Sequence, residues 1–135
     1  MPKGESRPST AQSPRRNSLR VALVGPCAAG KSTIAAALSE RGWEARQPAQ
    51  EHSGVPDMWR RLTRPDLLVY LDASYDTIRA HRPGIRWGQR YLRELRRRLS
   101  HARRHADLVV CVDQRSELET VEEIESFLMQ VGHLR

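Results

Sequence analysis

Leu19-Arg20-Val21-Ala22-Leu23-Val24-Gly25-Pro26-Cys27-Ala28-Ala29-Gly30-Lys31-Ser32 is the stretch that decides the fold. Its first half is a short apolar run with two β-branched valines, bounded by Gly25, which reads as a buried strand. Its second half, Gly25 to Ser32, fits G-x-x-x-x-G-K-[ST] at every position, with the strand before it and a helical pattern after it. Each residue type has a physical role there. Glycines let the backbone curl so that successive N–H groups converge on a phosphate, and the start of the next helix adds its positive end. Lys31 reaches the outer phosphates, and the Ser32 hydroxyl suits a magnesium position. The competing reading is an ordinary strand, turn and helix that happens to carry glycines.

Outward from this stretch, strands and helices alternate. Ser32 to Arg41 reads as a helix with Ile34, Ala35 and Leu38 on one face and Gly42 as its stop. Trp43 to Gln50 is a weaker extended segment whose Pro48 suits a sheet edge. Ser53 to Arg64 reads as a loop and short helix. Pro65 to Asp72, PDLLVYLD, is a continuous apolar run and so a strand buried on both faces. Tyr75 to Arg82 is a brief helix ended by Pro83 and Gly84. One long helix is expected over Trp87 to Ala106, another buried strand over Asp107 to Asp113, and an acidic helix over Leu118 to Val131. The alternation predicts an α/β fold of three layers, α/β/α, around a mostly parallel sheet of about four strands.

Composition sets the limits. The 135 residues are 39% apolar and 29% charged, enough for one domain, and no apolar run approaches the roughly 18 residues of a membrane span. Residues 1–18 hold three prolines, four serines and almost no aliphatic side chains. They are expected to be a disordered basic tail before a domain over 19–135. They lack the apolar stretch of a signal peptide. Cys27 and Cys111 sit in small or apolar segments rather than in a disulfide framework, so a reducing, cytoplasmic setting is expected.

The net charge of +7 rests on 21 arginines and two lysines. Lys31 is the only lysine after the tail. An arginine does not replace it, because the planar guanidinium is too large for such a loop. Ten arginines and one carboxylate, Glu94, lie between Arg79 and Arg104, and seven acids follow between Asp107 and Glu125. Three readings stand for that segment: a phosphate-gripping lid, a nucleic-acid patch, or the solvated face of an amphipathic helix. Its arginines are also placed to meet the acidic last helix.

GPCAAGKST after LRVALV, then PDLLVYLDAS, an arginine-rich stretch, and ADLVVCVDQRS before ELETVEEI resemble the P-loop nucleoside and nucleotide kinases. The resemblance covers residues 19–131 and implies a P-loop fold that binds ATP with Mg2+ and phosphorylates a small-molecule acceptor such as a nucleoside or nucleotide. It implies phosphate contacts at Gly25, Pro26, Cys27, Ala28, Ala29, Gly30, Lys31, Ser32 and Thr33. It further implies a base-stacking place for Arg115 and a lid formed by Arg79, Arg82 and Arg86, with Arg82 and Arg86 on the transferring phosphate.

Two departures accompany the resemblance. Ala28 stands where a glycine is common, and the interval before PDLLVYLD leaves no room for the strand that usually flanks the loop. The carboxylate for magnesium or for the acceptor hydroxyl is therefore Glu51 or Asp72. Glu51 follows the second strand, which the missing strand would let pair directly with the first. Asp72 ends the apolar run, and D-A-S-Y-D also reads as a helix entry. His52 beside Glu51, and Trp59 with Arg60 and Arg61 as an acceptor pocket, are further candidates. The alternatives to a kinase are a nucleotide-binding module without catalysis and an arginine-dependent nucleic-acid binder.

Overall fold

The computed structural model describes residues 19–134, and the expected basic tail, residues 1–18, lies outside them. In chain order the elements are β1 (Arg20–Val24), α1 (Lys31–Glu40), β2 (Glu44–Arg46), a 3-10 turn (Gln50–His52), α2 (Met58–Thr63), β3 (Leu67–Asp72), α3 (Tyr75–His81), α4 (Gln89–Arg98), α5 (Ser100–His105), β4 (Leu108–Cys111) and α6 (Glu117–Leu134). The four strands form one sheet in the order β2-β1-β3-β4, and every pairing is parallel. β2 pairs directly with β1, Arg20 opposite Glu44 and Ala22 opposite Arg46. The protein is α/β.

Side chains alternate across the two inner strands, as the strand period of two requires. Val21 and Leu23 of β1, with Leu67, Val69 and Leu71 of β3, join Ile34 and Leu38 of α1 and Val121, Ile124 and Leu128 of α6 in one core. Ala22, Val24, Leu68 and Tyr70 face the other way, onto Trp59 of α2 and Leu99 and Ala102 beside and within α5. Both faces are thus covered, which is why PDLLVYLD reads as an unbroken apolar run. Burying a Leu or Ile fully is worth about 1.5–3 kcal/mol. Leu23, Leu38, Leu71, Ile124 and Leu128 all have zero exposure. Polar ties pin the layers: Arg41 Nη1 and Trp43 Nε1 both donate to the Glu125 carboxylate of α6, at 2.7 and 2.9 Å.

Three expectations are corrected. The single helix over Trp87 to Ala106 starts at Gln89 and is interrupted at Leu99, whose buried side chain fills the second core between α4 and α5. The strand at Asp107 to Asp113 is buried only in part. It is the sheet edge, and Val109 and Cys111 are exposed while Val110 is buried. Periodicity did not reveal this, because an apolar edge strand and an apolar central strand read alike. The acidic helix α6 begins one residue earlier than expected, runs to Leu134, and packs on α1 across the sheet from α5. This sets it on the other face of the sheet from α5 and its arginines. Its acids instead hold Arg41 and Arg115. Cys27 and Cys111 are both free thiols. No helix among the described residues is long and apolar enough to cross a membrane.

Candidate functional site

β1 and α1 meet at a loop whose shape depends on particular backbone conformations. Gly25 lies where a side chain would press on the Leu71 carbonyl oxygen of β3, so only glycine lets the chain leave the sheet there. Gly30, with φ of 96°, is left-handed and starts α1. Ala28 is also left-handed, with φ of 68°, a backbone conformation that favours glycine. A Cβ in that region carries a steric cost of roughly 1–2 kcal/mol.

Residues Cys27 to Ile34 wrap one end of a cavity of about 710 Å3, whose other walls include Gln47, Glu51, His81, Arg82, Val112, Arg115, Ser116 and Thr120. No side chain caps the first turn of α1 and no acidic residue stands in it. Its leading N–H groups have no partner within the helix, and the positive end of the helix is not neutralised locally.

The Lys31 ammonium is buried beneath the loop, 8% exposed. It donates to the Gly25 and Pro26 carbonyls at 2.6 and 3.0 Å and to Glu51 Oε2 at 2.8 Å. All three of its protons therefore have defined acceptors. Glu51 reaches it because β2 pairs with β1 and the 3-10 turn follows within a few residues. The turn is held by Gln50, whose Oε1 accepts from Trp59 N at 2.7 Å, and by Arg98, which donates to the Glu51 carbonyl at 3.3 Å. Glu51 Oε1 is buried and has no hydrogen-bond partner. Burial pushes the Cys27 thiol above its usual range, and the Glu51 charge adds to the effect while Lys31 opposes it.

The structure thus brings together Cys27, Ala28, Ala29, Gly30, Lys31, Ser32, Thr33, Glu51, Arg82 and Arg115. Gly25 and Pro26 take part through the carbonyls that hold Lys31. Arg115 is paired with Glu123 at the far wall. Arg86 is not among the residues lining the cavity, and Arg79 lies over the Tyr75 ring instead.

Asp72 is not brought to this cavity. It lies in a second one, of about 470 Å3, with Tyr70, Arg96, Ser100, Arg103 and Arg104. Its carboxylate accepts from Ala73 N at 2.9 Å and lies 3.5 Å from Arg96 and 3.9 Å from Arg103. Burial, aided by the charge of Asp72, pushes the Tyr70 phenol up to about 12. The helix entry belongs to Ser74, whose hydroxyl accepts from Thr77 N. Trp59 is a core residue at 5% exposure, and Arg60 and Arg61 pair with Asp57, so no acceptor pocket forms there.

Two wall residues carried no signal in the sequence. Gln47 accepts from the Ser32 hydroxyl at 3.0 Å, and His81 Nδ1 lies 3.2 Å from the Ala28 carbonyl oxygen. Neither belongs to a motif, since each arrives through the packing of an element distant in sequence. Comparison with known proteins finds no protein-family model that matches the chain and no matching curated protein.

Proposed function

We propose that this is a P-loop protein that binds a nucleoside triphosphate with magnesium, as a minimal kinase for a small hydroxyl or phosphate acceptor. The observation that carries the reading is the placement of Lys31. A buried ammonium tied to two loop carbonyls and a carboxylate lies beside an uncapped helix start, at one end of a cavity large enough for a nucleotide. Such a group has one well-known use in this sequence pattern, the outer phosphates of a nucleotide.

The donor set suits magnesium. Ser32 Oγ and the orphaned Glu51 Oε1 are hard oxygen ligands, and both residues line the cavity. When bound, magnesium neutralises charge on the β- and γ-phosphate oxygens. The remaining work falls to the chain. The amides of Ala28 to Thr33 receive phosphate oxygens, and Lys31 shifts its donation from the loop carbonyls to the terminal phosphate. Arg82 meets the charge that develops in transfer, and Arg115 borders the base. Glu51, anchored at Oε2, uses Oε1 either for the metal or for the acceptor's proton.

The second reading is a nucleotide-binding module without catalysis. It is favoured by the direct pairing of β2 with β1, which leaves no strand between them to carry an additional acidic motif. An assay of ADP release from magnesium-ATP across nucleosides, nucleotides and small alcohols separates the two. Turnover stimulated by an acceptor and lost in Lys31→Ala supports the kinase. ATP binding with no stimulation by any acceptor supports the module, and no ATP binding at all sinks both.

A further inference from the structure

The carboxylate that holds Lys31 also stands beside two softer ligands. Cys27 Sγ, a carboxylate oxygen of Glu51 and a ring nitrogen of His52 all lie within 4.8 Å of one another. Cys27 comes from the loop after β1 and the other two from the 3-10 turn after β2, so the direct pairing of those strands creates the cluster. Glu51 is 4% exposed; its Oε2, held by Lys31, is also the oxygen 3.9 Å from His52 Nε2, and the Oε1 of the same carboxylate has no hydrogen-bond partner. A buried anionic oxygen without a donor is costly, and a cation supplies what is missing.

We infer that Cys27, Glu51 and His52 form a site for a divalent ion of the zinc type, distinct in chemistry from the magnesium position. Sulfur and imidazole favour zinc over magnesium, which takes oxygen ligands. Three protein ligands leave the fourth tetrahedral position to water. Zinc bonds of about 2.0–2.3 Å place neighbouring ligand atoms roughly 3.3–3.5 Å apart. The cluster must therefore close by about an ångström. His52 is half exposed and Cys27 is partly exposed, so both have room to rotate, while Lys31 keeps the Glu51 carboxylate in place. On binding, the Cys27 thiol releases its proton to solvent and the S–H bond is replaced by a sulfur–metal bond. The site shares Glu51 with the proposed function but requires no nucleotide, so it stands or falls separately.

Cobalt(II) titration of the reduced, nucleotide-free full chain tests it, with zinc(II) as competitor. The expected result is one equivalent of bound cobalt with thiolate-to-cobalt charge-transfer absorption and intense tetrahedral d–d bands, both removed by zinc. Cys27→Ser should lose the charge-transfer band. His52→Ala, at a half-exposed position, should keep the fold and weaken binding at least about tenfold. Cys111→Ser, on the sheet edge, should titrate like the wild type. Absence of a charge-transfer band in the wild type would overturn the site. So would loss of the band in Cys111→Ser instead, or wild-type affinity in His52→Ala.

Discussion

Lys31 and the ten arginines between Arg79 and Arg104 are cations in contrasting surroundings. Lys31 is buried, each of its protons has an acceptor, and its neighbours are backbone carbonyls and one buried carboxylate. Arg97 has a side chain 73% exposed and shares Glu94 with Arg98, one helical turn away. Arg96 donates to the Ala73 carbonyl at 2.7 Å, and Arg103 lies over the Tyr70 ring. The crowded region spends much of its charge on helix-surface pairs and on covering the sheet end. Lys31 sits where burial strengthens every charge interaction. Burial and defined partners, more than the number of charges, separate a site from a charged surface.

The comparison is broken most directly by removing one cation from each region. Lys31→Met leaves the Glu51 carboxylate buried without its partner and is expected to cost about 3–5 kcal/mol in urea unfolding. Lys31→Met with Glu51→Leu should regain at least half of that loss, whereas Arg97→Ala should leave the unfolding midpoint unchanged. A Lys31→Met protein as stable as the wild type would remove the distinction. A smaller effect is expected at the left-handed alanine of the loop. Ala28→Gly relieves a steric cost at φ of 68° and is expected to stabilise the protein by about 0.5–1 kcal/mol, after the glycine's added freedom in the unfolded chain is counted. Destabilisation by that change would mean that the Cβ packs usefully.

The smallest effect concerns the base of the arginine segment. Asp113 accepts from Ser74 N at 3.0 Å. The Thr77 side chain, then that backbone bond, hold its carboxyl below the usual aspartate value of 3.8. Since the folded value is the lower one, the stabilisation is present above pH 3.8 and is lost as the pH falls through the depressed folded value. Asp113→Asn should therefore be less stable than the wild type at about pH 6, with the gap narrowing as the pH falls below 3.8. A gap independent of pH would assign the effect to packing instead.

Much of the architecture was legible because physics writes it locally. The apolar runs LRVALVG and PDLLVYLD, short and bounded by turn residues, read as buried strands, and Gly42, Pro83 and Gly84 mark where helices stop. The direct pairing of β2 with β1, which carries Glu51 towards the loop, was also legible from the short interval, though the contact of Glu51 with Lys31 was not and Asp72 stood as the alternative carboxylate. What escaped was set by packing between distant elements. The interruption at Leu99 arises where its side chain enters the second core, and helical periodicity continues through it. Asp72 and Glu51 looked alike as carboxylates after strands, and only the position of α4 and α5 draws Asp72 to Arg96 and Arg103. Cys27 and His52 are separated by 25 positions in no metal-binding spacing, so their proximity came only with the sheet.

Calorimetric titration of magnesium-ATP into the wild type, Lys31→Ala and an Arg96→Ala/Arg97→Ala/Arg98→Ala variant, each checked for its folded circular-dichroism spectrum, separates the buried lysine from the arginine helix as the phosphate-binding cation. Saturable binding to the wild type is expected, with an affinity lowered at least about a hundredfold in Lys31→Ala and near-normal binding in the triple arginine variant. Undiminished binding in folded Lys31→Ala, or loss of binding only in the arginine variant, would contradict the assignment of Lys31 as that cation.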